Sequence, residues 1–180
     1  MSRLKEKYEK EILPRLMKEN NYRSVMQAPR ITKITLNMGL GESTSNAKVL
    51  EAALGDMTAI VGQKPVLTKA RKSISNFKLR AGMTIGAKVT LRGDRMYEFV
   101  ERLVGAALPR IRDFRGISPS GFDGRGNFSM GLREIEIFPE IEASVSGGSQ
   151  GMDVTLVTSA TDNRGARQLL AALGLPFASK

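Results

Sequence analysis

The sequence predicts an α+β protein: a mostly antiparallel sheet with helices packed on one face, an open polar face on the other, and a long basic β-hairpin loop. Three observations carry this prediction. Helix-like and strand-like patterns are interleaved along the 180 residues without the strict βαβ repeat of a parallel sheet. The strand-like runs alternate apolar and polar residues, which suits burial on one side only. Between Lys64 and Arg95, nine Lys or Arg stand against one acid, Asp94, so +8 of the chain's +10 net charge falls in this one stretch. With 41 % hydrophobic residues the chain can bury one core, and a single domain over residues 1–180 is expected.

Leu4, Tyr8, Ile12 and Leu16 recur at helical spacing, giving an amphipathic helix over about Ser2–Glu19 that Pro14 should bend. After Pro29, RITKITLNMG reads as a strand with Thr32, Ile34, Leu36 and Met38 toward the core and Lys33, Thr35 and Asn37 on the other face. Ser43, Thr44 or Ser45 can cap a second helix, which carries Val49, Leu50, Ala53, Leu54, Met57, Ile60 and Val61 and ends at Gly62. PVLTKA and GAKVTLRG read as strands enclosing the basic loop, residues 69–86. The second of them buries Ala87, Val89 and Leu91 and projects Lys88, Thr90 and Arg92. A helix over about Asp94–Leu108 should stop at Pro109. FRGISPSGFDGRGNFSMG reads as turns, REIEIFPEIE as a strand with Glu134 and Glu136 on one face, and MDVTLVTSA as another strand. A helix over about Asp162–Leu173 comes last.

Composition narrows the chemistry. Zero Cys removes disulfides, thiolate zinc sites and thiol catalysis, and zero His removes the commonest general base and metal ligand. No metal or cofactor is expected. A pI near 10.1 suggests a polyanionic partner, most simply nucleic acid. MSRLKEKYEKE has no apolar signal core and no run approaches a membrane span, so a soluble, unexported protein without a membrane partner is expected.

The crowded like charges of the basic stretch repel one another, which destabilises the fold until an anion offsets them. The two polar strand faces supply the rest of an RNA interface. Lys and Arg neutralise phosphates, and Thr and Asn can hydrogen-bond a ribose 2′-hydroxyl. None of Lys33, Thr35, Asn37, Lys88, Thr90 and Arg92 is aromatic, so this face should read structured RNA by its backbone and minor groove and not by stacking on unpaired bases. Phe77, the single aromatic of the basic loop, is expected to pack under the loop's base.

Two competing motifs are weaker. GLGES places Gly39 and Gly41 between a strand and a helix, as a nucleotide-dependent enzyme would, but Thr44 stands where a third glycine belongs. A turn glycine here would hold φ > 0, so Ala at either position should damage folding. Glu134, Glu136, Glu140 and Glu142 could bind a metal, yet an acidic edge or a contact for a basic partner suits them better.

NMGLGES, GQKPVLTKARKSISNFKLRAG, GAKVTLRG, RIRDFRG, FDGRGNFSMG and FPEIE, in this order, resemble the bacterial form of the protein-five family of the large ribosomal subunit, which binds 5S rRNA. The resemblance covers essentially the whole chain. It implies a non-enzymatic RNA-binding protein of the cytoplasmic ribosome, placed in the central protuberance. It implies 5S rRNA contacts at Lys33, Thr35, Asn37, Gln63 and Thr90, which Lys88 and Arg92 extend. The loop would contact P-site tRNA through Lys69, Arg71, Lys72, Ser73, Ser75, Asn76, Lys78 and Arg80. With a partner only in the assembled ribosome, that loop is expected to be mobile in the free protein. An intersubunit bridge to small-subunit protein thirteen would use Arg110, Arg112, Arg115, Glu140 and Glu142. 23S rRNA and the other 5S-associated large-subunit proteins complete the implied partners.

Overall fold

The computed structural model describes residues 2–41, 47–141 and 150–178. Its centre is an antiparallel five-stranded sheet with helices packed against it, the α+β arrangement expected. The strands are β1 (Ile31–Gly39), β2 (Val66–Lys69), β3 (Thr84–Leu91), β4 (Phe128–Leu132) and β5 (Met152–Thr158), in the order β2-β3-β1-β5-β4. The helices are α1 (Arg3–Lys7), α2 (Leu13–Asn20), α3 (Ala47–Val61), α4 (Gly93–Arg102) and α5 (Asn163–Ala172).

The chain falls into two compact units, Met1–Ile34 with Leu91–Met130 and Thr155–Lys180, and Thr35–Thr90 with Gly131–Val154. Each boundary between them falls inside a strand. In the first unit, a π-helical turn, Tyr8–Ile12, joins α1 to α2. Pro14 follows directly, in the first turn of α2, where its missing N–H is tolerated. Tyr8, Ile12 and Leu16 are buried along one stripe, as their spacing predicts. Tyr8 donates its hydroxyl to the Pro29 carbonyl at 3.0 Å, and burial pushes its pKa up to about 12. Lys5 clasps Asp94 at 2.9 Å, and that hydrogen bond holds the Asp94 carboxyl below the usual carboxylate range. The helical path that α4 begins does not stop before Pro109. It widens into a π turn, Leu103–Ala107, and then tightens into a 3-10 turn, Leu108–Arg110, that contains the proline.

The second unit holds α3, which ends at Gly62 as expected, with φ of +72° and its N–H on the Thr58 carbonyl at 2.8 Å. The proposed caps Ser43, Thr44 and Ser45 lie outside the described residues. Strands β2 and β3 pair antiparallel, Val66 opposite Lys88 and Thr68 opposite Gly86, with a bulge between Thr68 and Lys69.

The stretch around Ile135 is not the strand expected. Ile135–Ile137 is a 3-10 turn and not a strand, and the strand forms upstream, as β4, inside the stretch read as turns. Asp123 sets β4 up. Its carboxylate accepts the N–H groups of Arg125 at 2.8 Å and Asn127 at 3.0 Å and the Asn127 amide at 2.7 Å. These bonds, the Asn127 side chain foremost, hold its pKa below the ordinary value. Thr158 then donates its hydroxyl to the Gly126 carbonyl at 2.6 Å.

Candidate nucleic-acid interface

Strands β1 and β3 are neighbours in the sheet. Along β1, Ile34, Leu36 and Met38 are fully buried, Lys33 and Thr35 are half-buried and Asn37 is exposed. Thr32 departs from the predicted core face. It is exposed, and its hydroxyl donates to the Val157 carbonyl at 3.0 Å, which satisfies a polar group that burial would have stranded. Along β3, Ala87, Val89 and Leu91 are buried, and beyond them Lys88, Thr90 and Arg92 are exposed. Gln63, just after the α3 cap, reaches the Thr90 carbonyl with its amide nitrogen at 3.4 Å.

Among the described residues, the side chains of Lys33, Thr35, Asn37, Lys88, Thr90 and Arg92 make no hydrogen bond or ion pair. The backbone beneath them is held closely. Leu40 donates to the Ile85 carbonyl at 2.9 Å, and a Cβ on Gly86 would sit 2.6 Å from the Met38 carbonyl oxygen. Only glycine fits there, because any Cβ would force a backbone carbonyl aside. Nothing local in the sequence marks Gly86, since the close approach exists only once strands lie side by side. Gly39 and Gly41 carry no such constraint. Neither has positive φ, and a Cβ on either meets nothing within 4 Å, which corrects the expectation that they are turn glycines.

The basic hairpin has its own internal order. Ala70 donates to the Met83 carbonyl at 2.8 Å, and Gly82, at φ +90°, donates back to the Ala70 carbonyl at 2.9 Å. Nearer the tip, Ile74 and Leu79 exchange both backbone bonds, at 3.0 and 3.1 Å, around a 3-10 turn, Ser75–Phe77. Lys78 closes that turn at φ +53°. Ser73, predicted as a tRNA contact, uses its hydroxyl to accept the Ala81 N–H at 2.9 Å. Lys69, Arg71, Lys72, Ser75, Asn76, Lys78 and Arg80 are exposed, and among the described residues none of the five cations has an acidic partner. Phe77 does not pack under the base: it is 69 % exposed at the tip, near Ile74 at 43 %.

Arg110, Arg112 and Arg115 are exposed in the first unit. Glu140 is half-buried in the second, and Glu142 lies outside the described residues. Glu134 precedes the 3-10 turn Ile135–Ile137 and Glu136 lies within it, so the two share no strand face. Among the described residues, no group of three or more Asp or Glu gathers as metal ligands. Among the described residues, no helix is long and apolar enough to cross a membrane.

Comparison with known proteins joins these features. Residues 24–80 match the family model described as ribosomal protein L5, and residues 84–177 match the model for the C-terminus of the same ribosomal family. The large ribosomal subunit protein uL5 of Desulforamulus reducens is 58 % identical over 177 residues, covering 98 % of both chains. That of Chloroflexus aurantiacus is 57 % identical over 97 % of both, and that of a Thermoanaerobacter species 54 % over 99 % of both. These relatives are named as ribosomal proteins and not as enzymes, which removes the nucleotide-dependent reading of the GLGES loop. By near full-length identity and by both family models, this chain belongs to the uL5 family, structural proteins of the large ribosomal subunit.

Proposed function

We propose that the chain binds 5S rRNA through the polar face of β1 and β3 and helps to attach that RNA in the central protuberance. The observation that supports this most is the set of six polar side chains, alternating with buried residues on neighbouring strands and without partners among the described residues. Short side chains on a sheet are positioned before binding, so little conformational freedom is lost when a fixed RNA surface docks. Thr35, Asn37 and Thr90 address ribose and phosphate oxygens, Gln63 lies at the rim, and Lys33, Lys88 and Arg92 neutralise phosphates.

The basic hairpin is proposed as a separate surface for P-site tRNA. Its cations project from a narrow, hydrogen-bonded stem, an arrangement that reaches outward to a second RNA. Arg110, Arg112, Arg115, Glu140 and Glu142 are proposed for the bridge to small-subunit protein thirteen, with 23S rRNA and other 5S-associated proteins as neighbours in the cytoplasmic ribosome. All 180 residues are proposed to form one folding domain, since the two compact units divide inside strands and not at linkers. Crosslinking in cells with sequencing of the bound RNA tests the RNA partners together. Reads from 5S rRNA and tRNA, ending at nucleotides joined to the sheet and to the loop respectively, are expected; absence of 5S reads would remove the first proposal.

A further inference from the structure

A cleft of about 610 Å³ lies between the 3-10 turn Pro119–Gly121 and one face of α5, within the first unit. We propose that this cleft holds one unpaired nucleotide of ribosomal RNA. The inference rests on the chain's place in the large subunit and not on the sheet-face reading.

The cleft combines the three kinds of group that a splayed nucleotide requires. Phe122 lines it with a half-buried ring, braced from behind by Phe128 at 4.7 Å and Phe177 at 5.7 Å between centroids. A ring so fixed is a platform for a base. Arg164 and Arg167, three residues apart on α5, line the same wall and are exposed. The Arg167 guanidinium is steadied 5.8 Å from the centre of the Phe177 ring, and among the described residues neither arginine pairs with a carboxylate. Gln168 and Asn163 supply amides. The Gln168 Oε1 is buried and accepts no hydrogen bond from the described residues, so a rotation of the amide toward the cleft would let an amino group on a base edge give it the donor it lacks. Asn163 already accepts the Gly126 N–H at 3.2 Å on Oδ1, which leaves its NH₂ as the donor.

Among the described residues, no acid lines the cleft. An acidic protein segment would satisfy the arginines but leave the braced ring and the Gln168 acceptor without a role. A base with its phosphate uses all of them. The open sheet face, without aromatics, suits paired RNA; this cleft suits a base that has left the helix.

The test uses the full chain assembled into large subunits, with exposed Ser120 at the cleft's mouth replaced by photoreactive p-benzoylphenylalanine. Irradiation should join it to rRNA, and reverse transcription should stop at an unpaired nucleotide. Either 5S or 23S rRNA satisfies the proposal, and the stop tells which supplies the nucleotide. Adding Arg164→Gln and Arg167→Gln, both exposed and without a carboxylate partner among the described residues, should lower the yield on the order of tenfold at equal occupancy in subunits. A crosslink only to protein, one to a base-paired nucleotide, no crosslink, or a yield indifferent to the arginines would overturn it. Binding of isolated 5S rRNA by sheet-face variants is a separate measurement, so failure of the cleft and failure of the sheet face can be told apart.

Discussion

The polar sheet face and the basic hairpin carry similar residue types, yet they are built in opposite ways. On the sheet, Lys33, Thr35, Asn37, Lys88 and Thr90 stand on strands whose alternate residues are locked into the core. On the hairpin, Arg71 to Lys78 are all exposed, and the stem is held by a few backbone bonds and the Ser73 hydroxyl. Both surfaces carry positive charge, but the first fixes its donors by burial and the second only by hydrogen bonds that water can compete for. A face of the first kind discriminates by geometry, and a projection of the second kind attracts by charge and adapts. In this scheme the +8 stretch can tolerate its self-repulsion because its loop is separable from the core.

The contrast can be broken from the core side first. Gly86→Ala puts a methyl group 2.6 Å from the Met38 carbonyl and should destabilise the protein by about 2–3 kcal/mol in urea unfolding. Gly39→Ala, which meets open space, should stay within about 0.5 kcal/mol of wild type. Equal effects at the two glycines would mean that the sheet is not the rigid part. Replacing Arg71, Lys72, Lys78 and Arg80 with Ala should leave the urea midpoint unchanged or raised, since repulsion is relieved, while P-site tRNA dissociates from ribosomes on the order of tenfold faster. Ser73→Ala removes one hydrogen bond and should cost about 1 kcal/mol locally, read as faster amide exchange at Ala81 with no change in β1. Phe77→Ala, at an exposed tip, should change stability by less than about 0.5 kcal/mol; a larger loss would show that the ring packs after all.

What is legible in the sequence follows from how local each signal is. The strands β1 and β3 are readable because a period of two over seven or more residues leaves little alternative, and the same alternation exposes the polar face. Strand β4 is hidden because Phe128-Ser129-Met130-Gly131-Leu132 follows a glycine-rich turn and contains a glycine, so only pairing within the sheet reveals it. The reverse error arises at Ile135–Ile137, where apolar residues two apart imitate a strand but Phe138 folds back, its N–H on the Ile135 carbonyl at 3.1 Å. The weight placed on Gly39 and Gly41 instead of Gly86 has a similar cause. A glycine between a strand and a helix looks constrained, whereas the true constraint is set by the Met38 carbonyl, 48 residues away in sequence. The exposed Phe77 defeats the expectation because aromatic residues usually bury, and nothing local marks the tip of a narrow hairpin.

The division of labour between the two surfaces is tested most directly by titrating isolated 5S rRNA, at several salt concentrations, with three proteins: wild type, Asn37→Ala with Thr90→Ala, and the quadruple hairpin variant. The sheet variant should lose at least roughly tenfold in affinity with an unchanged unfolding midpoint, two hydrogen bonds to RNA having gone. The hairpin variant should bind 5S rRNA within about twofold of wild type with the same salt slope, because a lost phosphate contact would lower that slope by roughly 0.7 to 0.9. A hairpin variant that loses affinity severalfold with a flattened salt slope, beside a sheet variant that binds as wild type, would place the 5S site on the hairpin and contradict the separation.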